Sequence, residues 1–185
     1  MNDVPPPITV DVDHLDISTK HFVLSDKHLT EDLDELTLIL KSHLLIEELL
    51  RDYCAHSIGH PKYLSEARLT FKQIFCLARS IYTLNLPSMD WTWGTVISLN
   101  TMRNLMAHAI EPDETKYAKA RDMIINEVMS NASQARPKPP TFHGAVAYLY
   151  GAFGALLQGH LILKAGGTVD QIPRPPDDSA QPSDA

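Results

Sequence analysis

From residue 30 to residue 165 apolar side chains recur every three or four positions, and each such run ends at proline or glycine. That spacing places the apolar groups on one face of a helix and excludes the two-residue alternation of a half-buried strand. It therefore predicts an all-α helical bundle of about five helices. The first helix is expected over 30–55, with Thr30 as its N-cap and Glu31, Asp32, Asp34 and Glu35 at the positive end of the helix dipole. Leu33, Leu36, Leu40 and Leu44 form its apolar row, which Ile46, Leu49 and Leu50 widen, and Gly59 and Pro61 end it. The second is expected over 65–84, capped by Ser65, with Phe71, Ile74, Phe75, Ala78, Ile81 and Tyr82 inward. The third follows Ser88 and runs to Ile110, with Trp91, Val96, Leu99, Met102 and Met106 inward, until Pro112 breaks it. The fourth spans 113–129 and is followed by the linker 132–140. The last spans 142–165, capped by Thr141 and stopped by Gly166 and Gly167.

The domain is expected over 25–168. Before it, Ile8, Val10 and Val12 alternate with polar residues, so 1–24 reads as an extended arm. Pro5 to Pro7 and the proline- and aspartate-rich 169–185 have too little apolar surface to offset the entropy of ordering, so the ends read as disordered. The last helix is long enough for a membrane span. His143, Gln158 and His160 inside it, and the need of four amphipathic helices for a core partner, favour burial in a soluble bundle without membrane contact. Gly151, Ala155 and Gly159 fall four apart and would admit a close helix, within the bundle or on a second subunit.

The net charge of −7 argues against a general nucleic-acid binder, but it is unevenly spread: −8 over 1–57, +3 over 58–140 and −2 over 141–185. The middle of the chain is thus able to meet a polyanion, although solvated helix faces give the same count. Cys54 and Cys76 lie in apolar helical patterns, and the N-terminus is acidic and proline-rich rather than basic then apolar. Both points read as reduced core thiols in a cytoplasmic protein.

The residues that best suit chemistry are Arg103, Asn104 and His108, late on the third helix. Asn104 and His108 are four apart, on one face; Arg103 lies about 140° round from His108, within the swing of a long side chain. Arginine holds phosphate in a planar fork, histidine moves protons near neutral pH, and asparagine hydrogen-bonds a 2′-hydroxyl or orients the imidazole. From spacing alone, a purely structural use is favoured. Arg103 would pair with Glu47, Glu48 or Asp52, Asn104 would satisfy helix-end backbone groups, and His108 would cap the helix C-terminus.

The stretch LNTMRNLMAHAI, residues 99–110, resembles the signature of the HEPN superfamily: an arginine, four to six residues, then a histidine, often with a polar residue after the arginine. KSHLLIEELLRDYC (41–54) and LTFKQIFCLARSIYTL (69–84) resemble the two helices that precede it. The same stretch looks like that of the mannitol-operon repressor-like helical proteins. The first resemblance implies a metal-independent endoribonuclease with no cofactor, in a toxin–antitoxin or defence setting, acting as a homodimer with two motifs facing across the interface. His108 would be its acid/base residue, Arg103 would hold the scissile phosphate, Asn104 would position substrate or His108, and Glu47 or Glu48 would hold Arg103. RNA would be the substrate and an antitoxin a partner. A tyrosine that some such toxins carry two residues after the histidine is Ile110 here. The second resemblance implies a non-catalytic regulatory module that binds a protein partner.

Two other groupings carry less. Cys54, His56 and His60 have zinc-like residue types, but Gly59 and Pro61 break the helix that would present them. Trp91 and Trp93 are suited to stacking bases, yet aromatics at a helix start beside a proline turn more often pack the core. His43 and His160, in apolar helices, read as hydrogen-bonded core or interface residues.

Overall fold

The computed structural model describes residues 13–108, 113–132 and 141–171. These form an all-α bundle: α1 Ser18–His28, α2 Glu35–Ser57, α3 Pro61–Glu66, α4 Phe71–Ile81, α5 Trp91–His108, α6 Glu114–Asn131 and α7 Phe142–Lys164. Single 3-10 turns stand at Asp13–Leu15, Pro87–Met89 and Val169–Gln171, and the described residues contain no strand.

The core is built on α7. Ala145, Val146, Leu149, Phe153, Leu157 and Ile162 are fully buried, covered by α2, α6, α1 and α5. Roughly 1.5–3 kcal/mol per large apolar side chain so buried is the main stabilising contribution. From α2 come Ile39, Ile46, Leu49, Leu50 and Tyr53. Gly154 lies where the two helices meet; a methyl group there would stand 3.9 Å from Leu49 Cδ2, an ordinary contact distance. The expected glycine–alanine row is not the packed face, since Gly151 and Ala155 are exposed and only Gly159 is buried. By length and composition α7 is capable of crossing a membrane, with mean hydropathy 1.4, but 61% of that window is buried against the other helices. Its ends follow the sequence: Thr141 Oγ1 accepts from Gly144 N–H at 3.0 Å, and Gly166, at φ 86°, turns the chain so that Gly167 N–H returns to Ile162 O at 2.9 Å.

Several boundaries differ from expectation. Asp34, not Thr30, caps α2: its backbone is extended and its carboxylate accepts the Thr37 N–H at 2.9 Å, while Thr30–Leu33 makes a turn. The second expected helix is two. Ser65 lies in the last turn of short α3, Arg68 adopts φ 46° and ends it, and Thr70 starts α4 through a capping box with Gln73. The third begins at Trp91 after the 3-10 turn and is described as far as His108. The fourth, α6, is capped by Asp113. Residues 1–12, 109–112, 133–140 and 172–185, with Ile110, Pro112, most of the linker and most of the C-terminal tail, lie outside the described residues.

The arm expected over 1–24 is helical from Ser18. Its only buried helical residue is His21, which explains why no apolar period announced it. Polar bonds hold it. Gln158 Oε1 on α7 accepts the Ile17 and Ser18 N–H groups at 2.8 and 3.3 Å. His21 lies between Tyr150 Oη (2.6 Å) and Asp52 Oδ2 (2.9 Å), and Lys20 bridges Asp52 and Glu48, both at 2.7 Å. Burial alone would raise the Asp52 carboxyl, but the bonds from His21 and Lys20 outweigh it and hold it below its ordinary value.

The leucine row of α2 is the largest departure. Leu36, Leu40 and Leu44 are 43, 39 and 64% exposed, because the adjoining face through Leu38, Ile39, Leu45 and Ile46 has turned inward. Met106 is only half-buried, and Cys76 is exposed while Cys54 is buried.

Replacing Thr70 by alanine removes the half of the α4 capping box in which Thr70 Oγ1 accepts the Gln73 N–H, and leaves the half in which the Thr70 N–H donates to Gln73 Oε1. It should cost about 1 kcal/mol in urea unfolding with an unchanged slope; no loss would show that α4 does not depend on this cap.

Candidate functional site

Arg103 and Asn104 lie on the last turns of α5, where the helix emerges from the core. Val96, Leu99 and Met102 are buried, whereas both Arg103 and Asn104 are half-buried. Although 100° apart on the helix, their side chains meet: Arg103 Nη1 donates to Asn104 Oδ1 at 3.1 Å. His108 is the final residue of α5, on the Asn104 side of the helix by its four-residue spacing; its side chain lies outside the described residues.

The glutamates proposed to hold Arg103 are engaged elsewhere. Glu47 pairs with Arg51 one turn along its own helix at 2.6 Å, and Glu48, one residue round, faces α1 and pairs with Lys20. Asp52 is taken by His21 and Lys20. No carboxylate among the described residues pairs with Arg103, so its charge is matched only by the amide of Asn104. Glu47 still belongs to the same neighbourhood, because its charge and that of Arg103 both act on His43.

His43 is the residue here that sequence reasoning left as structural. It lies between exposed Leu40 and Leu44 in the α2 sequence, with its ring turned onto α5. Nε2 is 3.0 Å from Asn100 Oδ1, and the ring packs on Phe71 at 4.4 Å between centroids. Burial pushes the imidazole pKa below its ordinary 6.5 and the Arg103 cation adds to that; the Asn100 bond and the Glu47 charge oppose the shift without reversing it. The ring is therefore neutral at pH 7. The available signal was the spacing of Asn100, Asn104 and His108, four apart along one row of α5. Only packing shows that His43 docks on its first member.

The other groupings separate. Cys54 is buried and its thiol is pushed up to about 12 by burial, while His56 is exposed and bonded to the Asp52 carbonyl at 2.8 Å. No cluster of three metal-ligating side chains occurs among the described residues. Trp93 is core, edge-on to Phe153, Phe75 and Tyr82, and Trp91 stacks on Tyr148. His160 is fully buried: Tyr53 Oη lies 2.7 Å from Nδ1, and the Thr83 N–H donates to Nε2 at 3.3 Å.

In comparisons with known proteins, no family model, curated protein or solved structure matches the chain. The chemistry must be argued from the residues. A guanidinium with no carboxylate partner among the described residues and two carboxamides on the half-buried edge of α5, with the buried, neutral imidazole of His43 docked on Asn100 from α2 and exposed leucines alongside, suit a polar, anionic ligand.

A proton NMR titration should place His43 below pH 6.5. Arg103→Ala, by removing a nearby cation, should move it upward. A wild-type value at or above 6.5, unmoved by the substitution, would contradict the juxtaposition of the two side chains.

Proposed function

We propose that the chain is a metal-independent endoribonuclease of the HEPN type that works as a homodimer. The observation that carries this reading is the meeting of Arg103 and Asn104 on the half-buried edge of α5, one turn before His108, with no carboxylate neutralising the arginine among the described residues. Arg103 would hold the scissile phosphate and stabilise its developing charge. Asn104 keeps that guanidinium on the His108 side of the helix, and His108 would move the protons. The resemblance of residues 99–110 to the HEPN signature, with an all-α bundle around it, supports the same assignment, as does a net positive charge over 58–140. The dimer is supported by the row Leu36–Leu40–Leu44, which is symmetric about Leu40, so an antiparallel two-fold pairing of α2 buries all three on both copies.

That same row favours the second reading, a non-catalytic regulatory module in which the leucines receive a different protein.

Purified protein in EDTA should cleave a mixed RNA pool, and Arg103→Ala and His108→Ala should each reduce cleavage by about 100-fold or more. A folded wild type that leaves the RNA intact would put the regulatory reading in its place. In sedimentation, the wild type should run as a dimer and the double variant Leu40→Glu, Leu44→Glu as a folded monomer. A dimer that survives both glutamates would move the interface elsewhere.

A further inference from the structure

We propose that His43 is the general base of this site, taking the proton of the substrate 2′-hydroxyl while Arg103 holds the scissile phosphate. The inference rests on the ribonuclease reading and divides its acid–base work between two histidines. Asn100 Oδ1 only accepts hydrogen bonds, so the Nε2 that it faces at 3.0 Å carries the imidazole proton, and the lone pair stands on Nδ1. Nδ1 has no hydrogen-bond partner among the described residues, and the side chain as a whole is buried, 4% exposed, so the substrate hydroxyl has to come up against the ring at the seam between α2 and α5. Phe71, against the ring at 4.4 Å, and Asn100 together fix its orientation, an arrangement that prepares a base before substrate arrives. Burial is the main influence that favours the neutral imidazole; of the charged groups acting on the ring, Arg103 from α5 adds to it and Glu47 from α2 opposes it.

The order along α5 suits one phosphodiester linkage. Asn100, which aims His43, and His108 are eight residues apart, about 12 Å along the axis, with Arg103 and Asn104 between them. In the step that follows, the 2′ O–H bond breaks and its proton passes to His43 Nδ1. The 2′ oxygen bonds to phosphorus as the bond from phosphorus to the 5′ oxygen breaks. The leaving oxygen takes a proton from His108, giving a 2′,3′-cyclic phosphate and a 5′-hydroxyl. His43 then gives its proton to solvent and His108 takes one up from solvent, which restores the starting state.

The test uses the full-length protein, single-turnover cleavage of the RNA pool in EDTA, and His43→Gln, whose side-chain amide is able to keep the hydrogen bond to Asn100. Cleavage should fall by about 10²–10⁴-fold. RNA affinity, measured by anisotropy on an uncleavable 2′-O-methyl RNA, should stay within about threefold, since the variant is to lose proton transfer and not binding. A second variant, Asn100→Asp, sets a carboxylate against Nε2 and should raise the His43 pKa, moving the acid limb of the pH–rate profile to higher pH. That shift is one a purely structural histidine would not produce, and it decides the matter if His43→Gln does not fold. A His43→Gln enzyme that cuts within threefold of wild type, or an acid limb that Asn100→Asp leaves in place, overturns the proposal while leaving the nuclease reading intact. A wild type that does not cut overturns both.

Discussion

A helix that is apolar on most of its circumference persists in water only when other helices cover it, and in this chain that helix is α7. Fourteen of its residues are buried, and α1, α2, α5 and α6 all pack on it. The closest partnership is with α2, where Gly154 faces Leu49 and where Ile46, Leu50 and Tyr53 fill the remaining space. Everything else is arranged around that contact. Once one face of α2 is committed to α7 and α4, its opposite face must point outward, with its leucines.

Apolar packing alone tolerates sliding, and the buried polar groups of α7 restrict it. Tyr150 meets His21, Gln158 caps the start of α1, and His160 accepts from the Thr83 backbone while its other nitrogen faces Tyr53. An unpaired polar group in such a place costs about 1–3 kcal/mol, so each bond favours one register of α7 against α1, α2 and the segment after α4. His160 is held in its neutral form, chiefly by burial and further by Lys164, as suits a ring nitrogen that receives an N–H.

The candidate site lies where this packing ends. α5 enters the core through Trp93, Val96, Leu99 and Met102 and leaves it at Arg103, so its last turns carry half-buried polar groups on a rigid support. α2 contributes from the side. Its Glu47 satisfies Arg51 within the helix, leaving Arg103 to the Asn104 amide, and its His43 docks on Asn100. The site thus combines a positioned cation with a neutral imidazole, both set by the crossing of two helices.

The helical class, the breakers at Gly59, Pro61 and Gly166 and the cap at Thr141 were legible in the sequence, because period, proline and side-chain oxygen act over a few residues and need no distant partner. That Arg103, Asn104 and His108 share one helix was legible for the same reason. α1 was not, since it is held by Gln158, Asp52 and Tyr150 and shows no apolar period of its own. Nor was the choice between the two leucine faces of α2, each of which has helical spacing. Only the tertiary structure decided that Leu36, Leu40 and Leu44 face outward, that Glu47 and Glu48 bind other cations, and that His43 docks on Asn100 within reach of the Arg103 charge. These depend on which surfaces of separate helices meet, a property set by long-range packing and not by neighbours along the chain.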